Sequence, residues 1–116
     1  MKIRIKGNSL RYRLTKSEVE ALGTLGFLSE SSHFMSKTLE YAIKTTSNGN
    51  LSADFIDNRI VLNMPEKMVE ELVNTDRVGF SELSGPVSLL IEKDFTCLDN
   101  VEEDQSDNYP NPHLNS

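Results

Sequence analysis

The sequence has one cysteine, Cys97, and no long run of apolar residues. A single cysteine gives no intrachain disulfide, which is typical of proteins from reducing compartments. The predominantly apolar stretches, such as residues 87–91, are far shorter than the roughly 20 residues that a membrane-spanning helix needs. Residues 2–6 alternate charged and aliphatic side chains, unlike the apolar segment of a signal peptide. We therefore expect a cytoplasmic protein that does not contact membranes.

Familiar catalytic motifs are missing as well. The sequence contains no nucleophile elbow, no His-Glu-x-x-His and no glycine-rich phosphate loop. Cys97 as a nucleophile would need a base within hydrogen-bond reach, and the sequence offers only His33 and His113. These absences predict a protein without enzymatic activity and without a cofactor.

Charge is present but unevenly distributed. The net charge is −6, which disfavours nonspecific binding to nucleic acid. Six of the twelve basic residues nevertheless lie within the first sixteen positions, with no acid among them. Seven of the eighteen acids lie from Glu92 onward. The two ends of the chain therefore carry opposite charge.

A basic β-hairpin is predicted at the start of the chain. Apolar residues alternate with basic ones on both sides of Gly7-Asn8, a pair that suits a two-residue turn. One face of the hairpin is then apolar, and the other carries four cations: Arg4, Lys6, Arg11 and Arg13. Neighbouring cations repel one another unless an anion lies across them. The expected anion is the acidic end of this chain or a phosphate or carboxylate of a partner, and a merely solvated face is the alternative.

The hairpin is followed by a helix, and this unit recurs along the chain. Thr15 and Glu18 match a capping box, and Gly23 is the expected end of the helix. A shift of fifty residues superposes the whole unit on residues 51–72. The pattern predicts an α+β fold of about eight short strands and two short helices, in two pseudo-repeated ββαββ halves. An antiparallel twisted sheet or a partly closed barrel is expected, with an Asn-Gly hairpin at 46–50 linking the halves.

Residues 1–96 are predicted to form this single domain, and residues 97–116 an acidic C-terminal strap docked on it, with the last few residues loose. Purely disordered acidic segments lack apolar anchors, whereas this one has several and its prolines keep it extended. The expected anchors are Phe95, Leu98, Tyr109, Pro110 and Pro112. The strap could lie on its own subunit or exchange with a partner, so a monomer or a homodimer is expected.

The same segment raises the alternative of a metal site. Its candidate ligands are Cys97 with Asp94, Asp99 and Asp107. Residues 97–116 contain no glycine, and their acids do not follow the spacing of a calcium-binding loop. A structural zinc site needs four ligands, and no second Cys/His pair accompanies Cys97. Because the spacing fits neither kind of site, the strap is the preferred interpretation and a metal ion is the alternative.

Both ends of the chain resemble a family of small bacterial proteins of unknown function. The resemblance rests on MKIRIKGNSLRYRLTKSEVE at the start and on IEKDFTCLD and EEDQSDNYPNP near the end. The family's recurring elements correspond here to residues 94–98 and 106–112. The resemblance implies that the C-terminal segment belongs to the domain, and it implies no activity, cofactor or catalytic residue.

These observations favour a small binding or scaffold protein whose acidic strap covers the basic hairpin. Metal binding through Cys97 and the tail carboxylates is one alternative. A nucleic-acid or phosphate ligand on the basic hairpin is another, although nucleic acid is disfavoured because no aromatic residues interleave with the basic ones.

Overall fold

The architecture of the chain is seen in a computed structural model that describes residues 1–95 and 106–110. Its elements in chain order are β1 (Lys2–Lys6), β2 (Ser9–Leu14), α1 (Lys16–Leu25), β3 (Phe27–His33), β4 (Thr38–Thr46), β5 (Ser52–Ile56), β6 (Arg59–Pro65), α2 (Glu66–Asn74), β7 (Gly79–Ser84) and β8 (Val87–Lys93). Eight strands and two helices in this part of the chain confirm the predicted α+β class.

The strands form two sheets rather than one, and neither is a closed barrel. Sheet A has the order β1-β2-β8-β7, and sheet B has the order β3-β4-β6-β5. Each sheet consists of two antiparallel hairpins joined by a central parallel pair, β2 with β8 and β4 with β6. The parallel pairs differ from the antiparallel sheet that we expected. The sequence pattern of short strands predicts hairpins between neighbouring strands. It does not predict a parallel pair, because such a pair joins strands that are distant in sequence.

Each sheet takes one hairpin from each half of the chain. The first hairpin pairs Lys2 with Arg13, and the corresponding hairpin of the second half pairs Ser52 with Asn63, fifty residues later. The order ββαββ therefore occurs twice, with the same registers in both leading hairpins. A common origin of the two halves stays a prediction.

The prediction of a hairpin at 46–50 was wrong. Strands β4 and β5, which flank this segment, both pair with β6 and lie on its two sides. The central pair β4–β6 places Ile43 opposite Leu62, and both side chains are fully buried. Burial of these core residues thus favours the parallel pairing over the local hairpin that the Asn-Gly pair suggested.

The predicted hairpin turns and helix starts agree well with the structure. Gly7 has a φ of 53°, and Asp57 and Asn58 have φ values of 51° and 64°. Positive φ at these positions matches the right-handed twist of hairpin strands. At the start of α1, the Glu18 carboxylate accepts a hydrogen bond of 2.9 Å from the Thr15 amide, which is one half of the predicted capping box.

Helix α1 ends three residues later than its first glycine suggested. The residue that follows it, Gly26, has the left-handed conformation, and its N–H donates to the Leu22 carbonyl at 2.9 Å. Gly23 instead lies inside the helix, where an added Cβ would be 2.9 Å from Cγ2 of Val73 in α2. A small residue at this position allows the two helices to pack closely.

One hydrophobic core connects both sheets with both helices. Its fully buried members include Tyr12 and Ile91 of sheet A, and Ile43 and Leu62 of sheet B. The Tyr12 hydroxyl has no hydrogen-bond partner among the described residues, and burial raises its pKa above the usual value. Neither helix in the described part of the chain is long and apolar enough to cross a membrane.

Candidate functional site

The four cations predicted to act together lie on one side of sheet A. The alternate residues of β1 and β2 pack into the core, so Arg4, Lys6, Arg11 and Arg13 point to the opposite side. Arg4 stands directly across from Arg11 in the β1–β2 register, and Lys2 across from Arg13. We call this set of five residues, Lys2 included, the basic face.

The basic face already holds one carboxylate, that of Glu92 in β8. Its Oε1 atom accepts hydrogen bonds from Nε of Arg11 at 2.6 Å and from Nε of Arg13 at 3.1 Å, and it also contacts Nη2 of Arg11. The Glu92 side chain is only 16% exposed, so water screens this contact weakly. The sequence analysis did not identify Glu92, because its position depends on the parallel β2–β8 pairing.

A second carboxylate lies at the end of the same strand pair. Asp94 is buried, and its Oδ2 atom is 3.0 Å from Nζ of Lys2. The geometry is that of an ion pair rather than of a hydrogen bond. The Asp94 backbone N–H donates to the carbonyl of Leu14, which fixes the chain where it leaves sheet A. Asp94, a candidate metal ligand, is thus used for an ion pair with the basic face.

Arg4 and Lys6 differ from the other members of the basic face. Both are exposed, and within residues 1–95 and 106–110 neither has an ion-pair partner. A cavity of about 290 Å³ lies beside Arg4, and its lining also includes Lys2, Ile3, Arg11 and Arg13. Room for an anionic group therefore exists next to the guanidinium groups that hold Glu92.

The described part of the C-terminal segment binds elsewhere, at the start of α1. The backbone carbonyl of Asp107 accepts from the Lys16 amide at 3.1 Å. Its carboxylate accepts from the Ser17 hydroxyl at 2.6 Å and from the Ser17 amide at 3.3 Å. Amides in the first turn of a helix have no partner within the helix, so Asp107 supplies acceptors that α1 itself lacks.

Two of the predicted strap anchors lie next to each other. Phe95 and Tyr109 form a parallel β-bridge, with ring centroids 5.7 Å apart. Nζ of Lys93 lies 5.0 Å from the Tyr109 ring centroid and donates to the Thr75 carbonyl at 2.9 Å. Burial lowers the pKa of Lys93 and raises that of Tyr109. Pro110 is exposed, and the anchors Leu98 and Pro112 lie outside the described residues.

Two of the four candidate metal ligands, Asp94 and Asp107, lie among the described residues. Cys97 and Asp99 lie outside the described residues. Within the described ranges no three His, Cys, Asp or Glu side chains are grouped in a way that could hold a metal ion. The other two candidates, Asp94 and Asp107, bind Lys2 and Ser17 respectively. Metal binding by the C-terminal segment stays a prediction, as does its competition for the basic face.

The contacts of Asp107 make the stability of the domain depend on pH. Hydrogen bonds from Ser17 and Thr15 lower the pKa of Asp107. A carboxylate with a lowered folded-state pKa stabilises the fold above its usual pKa, and this contribution is lost as the pH falls through the folded-state value. We expect Asp107→Asn to be less stable than the wild type in urea at neutral pH, with a difference that shrinks toward pH 3.

The matched control is Glu70→Gln, which removes an exposed carboxylate from α2. Its urea midpoint should follow that of the wild type at every pH. A difference between Asp107→Asn and the wild type that is equal at neutral and acid pH would contradict the assigned contact.

Comparison with known proteins agrees with the resemblance seen at both ends of the sequence. No curated protein and no solved structure matches the chain. One family model does match, and it covers residues 1–113, which include the C-terminal segment. The chain therefore belongs to the family of unknown function DUF7009.

Proposed function

We propose that the chain is a binding protein that holds an acidic segment of a partner protein on its basic face. The observation that carries this proposal is the pair Arg4 and Lys6, two exposed cations without an ion-pair partner among the described residues. They lie beside two arginines that already hold a carboxylate. In this proposal the protein acts in the cytoplasm by binding alone, without catalysis or a cofactor.

Glu92 supports a carboxylate as the group that is recognised. Three N–H groups of Arg11 and Arg13 converge on one of its oxygen atoms, and hydrogen bonds between charged groups are stronger than those between neutral ones. Arg4 lies across from Arg11 and presents a further guanidinium group at the same row of the sheet. A carboxylate from a partner could bind the guanidinium group of Arg4 in the edge strand β1, as Glu92 binds those of Arg11 and Arg13 in β2.

A protein partner is favoured over a single-stranded nucleic acid. Proteins that bind single strands stack the bases on aromatic side chains. Apart from Glu92, the residues of β8 and β7 on the outer side of sheet A are not aromatic: Ser88, Leu90, Gly79, Ser81 and Leu83. An acidic peptide needs only the cations and the cavity beside Arg4.

The test is the binding of a fluorescein-labelled oligoglutamate peptide to the full chain, followed by fluorescence anisotropy. In the variant Arg4→Glu/Lys6→Glu both unpaired cations are reversed while the Glu92 contacts remain. Two attractive contacts then become repulsive, at roughly 0.5–1 kcal/mol for each exposed pair, so binding should weaken at least tenfold. Binding by the wild type should also weaken with added salt.

The matched control is Lys37→Glu/Lys44→Glu, which has the same net charge but changes two exposed lysines of the sheet B region, one in the β3–β4 connection and one in β4. It should bind the peptide almost as well as the wild type. Equal weakening in both variants would show that only net charge matters. A single-stranded oligonucleotide that binds more tightly than the peptide would replace the proposal with a nucleic-acid function.

A further inference from the structure

We infer that the partner segment binds as an extended strand along the exposed end of β1, with acidic and apolar side chains in alternation. This inference rests on the proposed function and adds the conformation and the sequence pattern of the partner. β1 is an edge strand of sheet A, and its last three residues, Arg4 to Lys6, are exposed. An exposed edge can accept another strand through main-chain hydrogen bonds.

The pairing of β2 decides which backbone groups of β1 are available. The Asn8 carbonyl accepts from the Ser88 amide in β8, and the Leu14 carbonyl accepts from the Asp94 amide just after β8. The even-numbered residues of β2 therefore face β8, and the odd-numbered ones face β1. Arg4 and Lys6 pair with residues 11 and 9, and therefore use their own backbone groups toward β2. The N–H and C=O of Ile5 consequently point away from the sheet, and no described residue bonds to them.

The two sides of this edge differ in chemistry. Arg4 and Lys6 lie on the outer side, where they would meet acidic side chains of an added strand. Ile5 lies on the inner side and is 54% exposed. Since side chains alternate along a strand, a partner that matches both sides has acidic residues at every second position and apolar residues between them.

The inner side offers a place for such an apolar side chain. A cleft of about 330 Å³ opens between the ends of the two leading hairpins, and its apolar walls are Ile5, Leu10, Ala53, Phe55, Ile60 and Val87. Phe55 is 65% exposed, so the cleft leaves apolar surface in contact with water. Ile5 belongs both to the free edge and to this cleft. A strand on β1 would therefore bring its inner side chain to the cleft and its outer ones to the cations.

The experiment compares two labelled peptides of identical composition on the full chain. One alternates glutamate and valine, and the other has the same residues in two blocks. We expect the alternating peptide to bind at least about tenfold more tightly, because only it presents acids and valines on opposite sides. Ile5→Pro, which removes the outward N–H at an edge position where proline is tolerated, should abolish this preference. The control Ile5→Thr keeps the N–H and should retain most of it.

A second measurement leaves the protein unchanged, in case Ile5→Pro does not fold. Two versions of the alternating peptide carry N-methyl groups on alternate sets of backbone nitrogens. One set faces β1 and the other faces solvent, so one version should lose binding and the other should keep it.

Each result bears on the inference in a different way. Equal affinities for the alternating and the block peptide, still lowered by Arg4→Glu/Lys6→Glu, would overturn strand addition and leave the proposed function intact. Binding of neither peptide would overturn both, and the cations of β1 would then serve only to keep an edge strand from aggregating.

Discussion

Replacing Gly79 with alanine is expected to lower the free energy of unfolding by about 3 kcal/mol. Gly79 opens β7 and pairs with Glu92 of β8. An added Cβ would overlap the carbonyl oxygen of Ile91 and would lie 2.9 Å from Cα of Glu92. These are backbone atoms of β8, an inner strand of sheet A, so they cannot move aside without breaking the β2–β8 or β7–β8 pairing. Urea unfolding at neutral pH measures the loss.

Gly23→Ala is the matched control for this substitution. At that position the added Cβ would lie 2.9 Å from Cγ2 of Val73, a partly exposed side chain that can shift outward, whereas the backbone atoms near Gly79 cannot. Alanine also has the higher helix propensity, worth about 1 kcal/mol over glycine inside a helix. The two effects partly offset each other, so we expect this variant to lose much less stability than Gly79→Ala. If Gly79→Ala is equally mild, the register between β7 and β8 at Gly79 is not the one described.

Much of the local structure of this chain could be predicted from its sequence. The β1–β2 and β5–β6 hairpins follow from alternation around short turns, and α1 from a capping pair and an apolar stripe. Each of these elements depends on residues within one turn or a few positions. The sequence signal for them is therefore contained in a short window.

The arrangement of the hairpins could not be predicted in the same way. Glu92 lies 81 residues from the Arg11 side chain that it binds. Nothing in the local pattern of β2 or β8 reports that they pair, or that they do so in parallel. At 46–50 the local signal was actively misleading, because the Asn-Gly pair favours a tight hairpin where the chain instead crosses to the far side of β6.

The same division applies to the candidate site. The four cations could be found because they share one strand period, and the structure brings them to one side of sheet A. Their internal anion, Glu92, and the ion pair of Asp94 with Lys2 depend on long-range register. The role of Asp107 at the start of α1 was missed as well, since it joins residues 90 positions apart. An acid in an acidic segment gives no local sign that it will cap a distant helix.

Tyr109→Ala is expected to detach the described C-terminal residues from the body. The Tyr109 ring packs against the core and against Phe95, and it lies over the ammonium groups of Lys93 and Lys16. Loss of this half-buried ring should cost about 2 kcal/mol, from apolar burial and cation–π contacts together. Thermal unfolding and amide hydrogen exchange measure the effect. In Tyr109→Phe the ring remains, so this variant should lose less stability than Tyr109→Ala.

Exchange at three amides of α1 separates detachment of the segment from general loss of stability. The Lys16 and Ser17 amides donate to Asp107, whereas the Val19 amide donates to the Thr15 carbonyl at 3.0 Å within the helix start. If residues 106–110 detach alone, exchange speeds up at Lys16 and Ser17 but not at Val19. Equal acceleration at all three would mean that the whole domain opens. Unchanged exchange and an unchanged melting temperature would show that Tyr109 anchors nothing, and the docked strap would then have to be held by other residues of the segment.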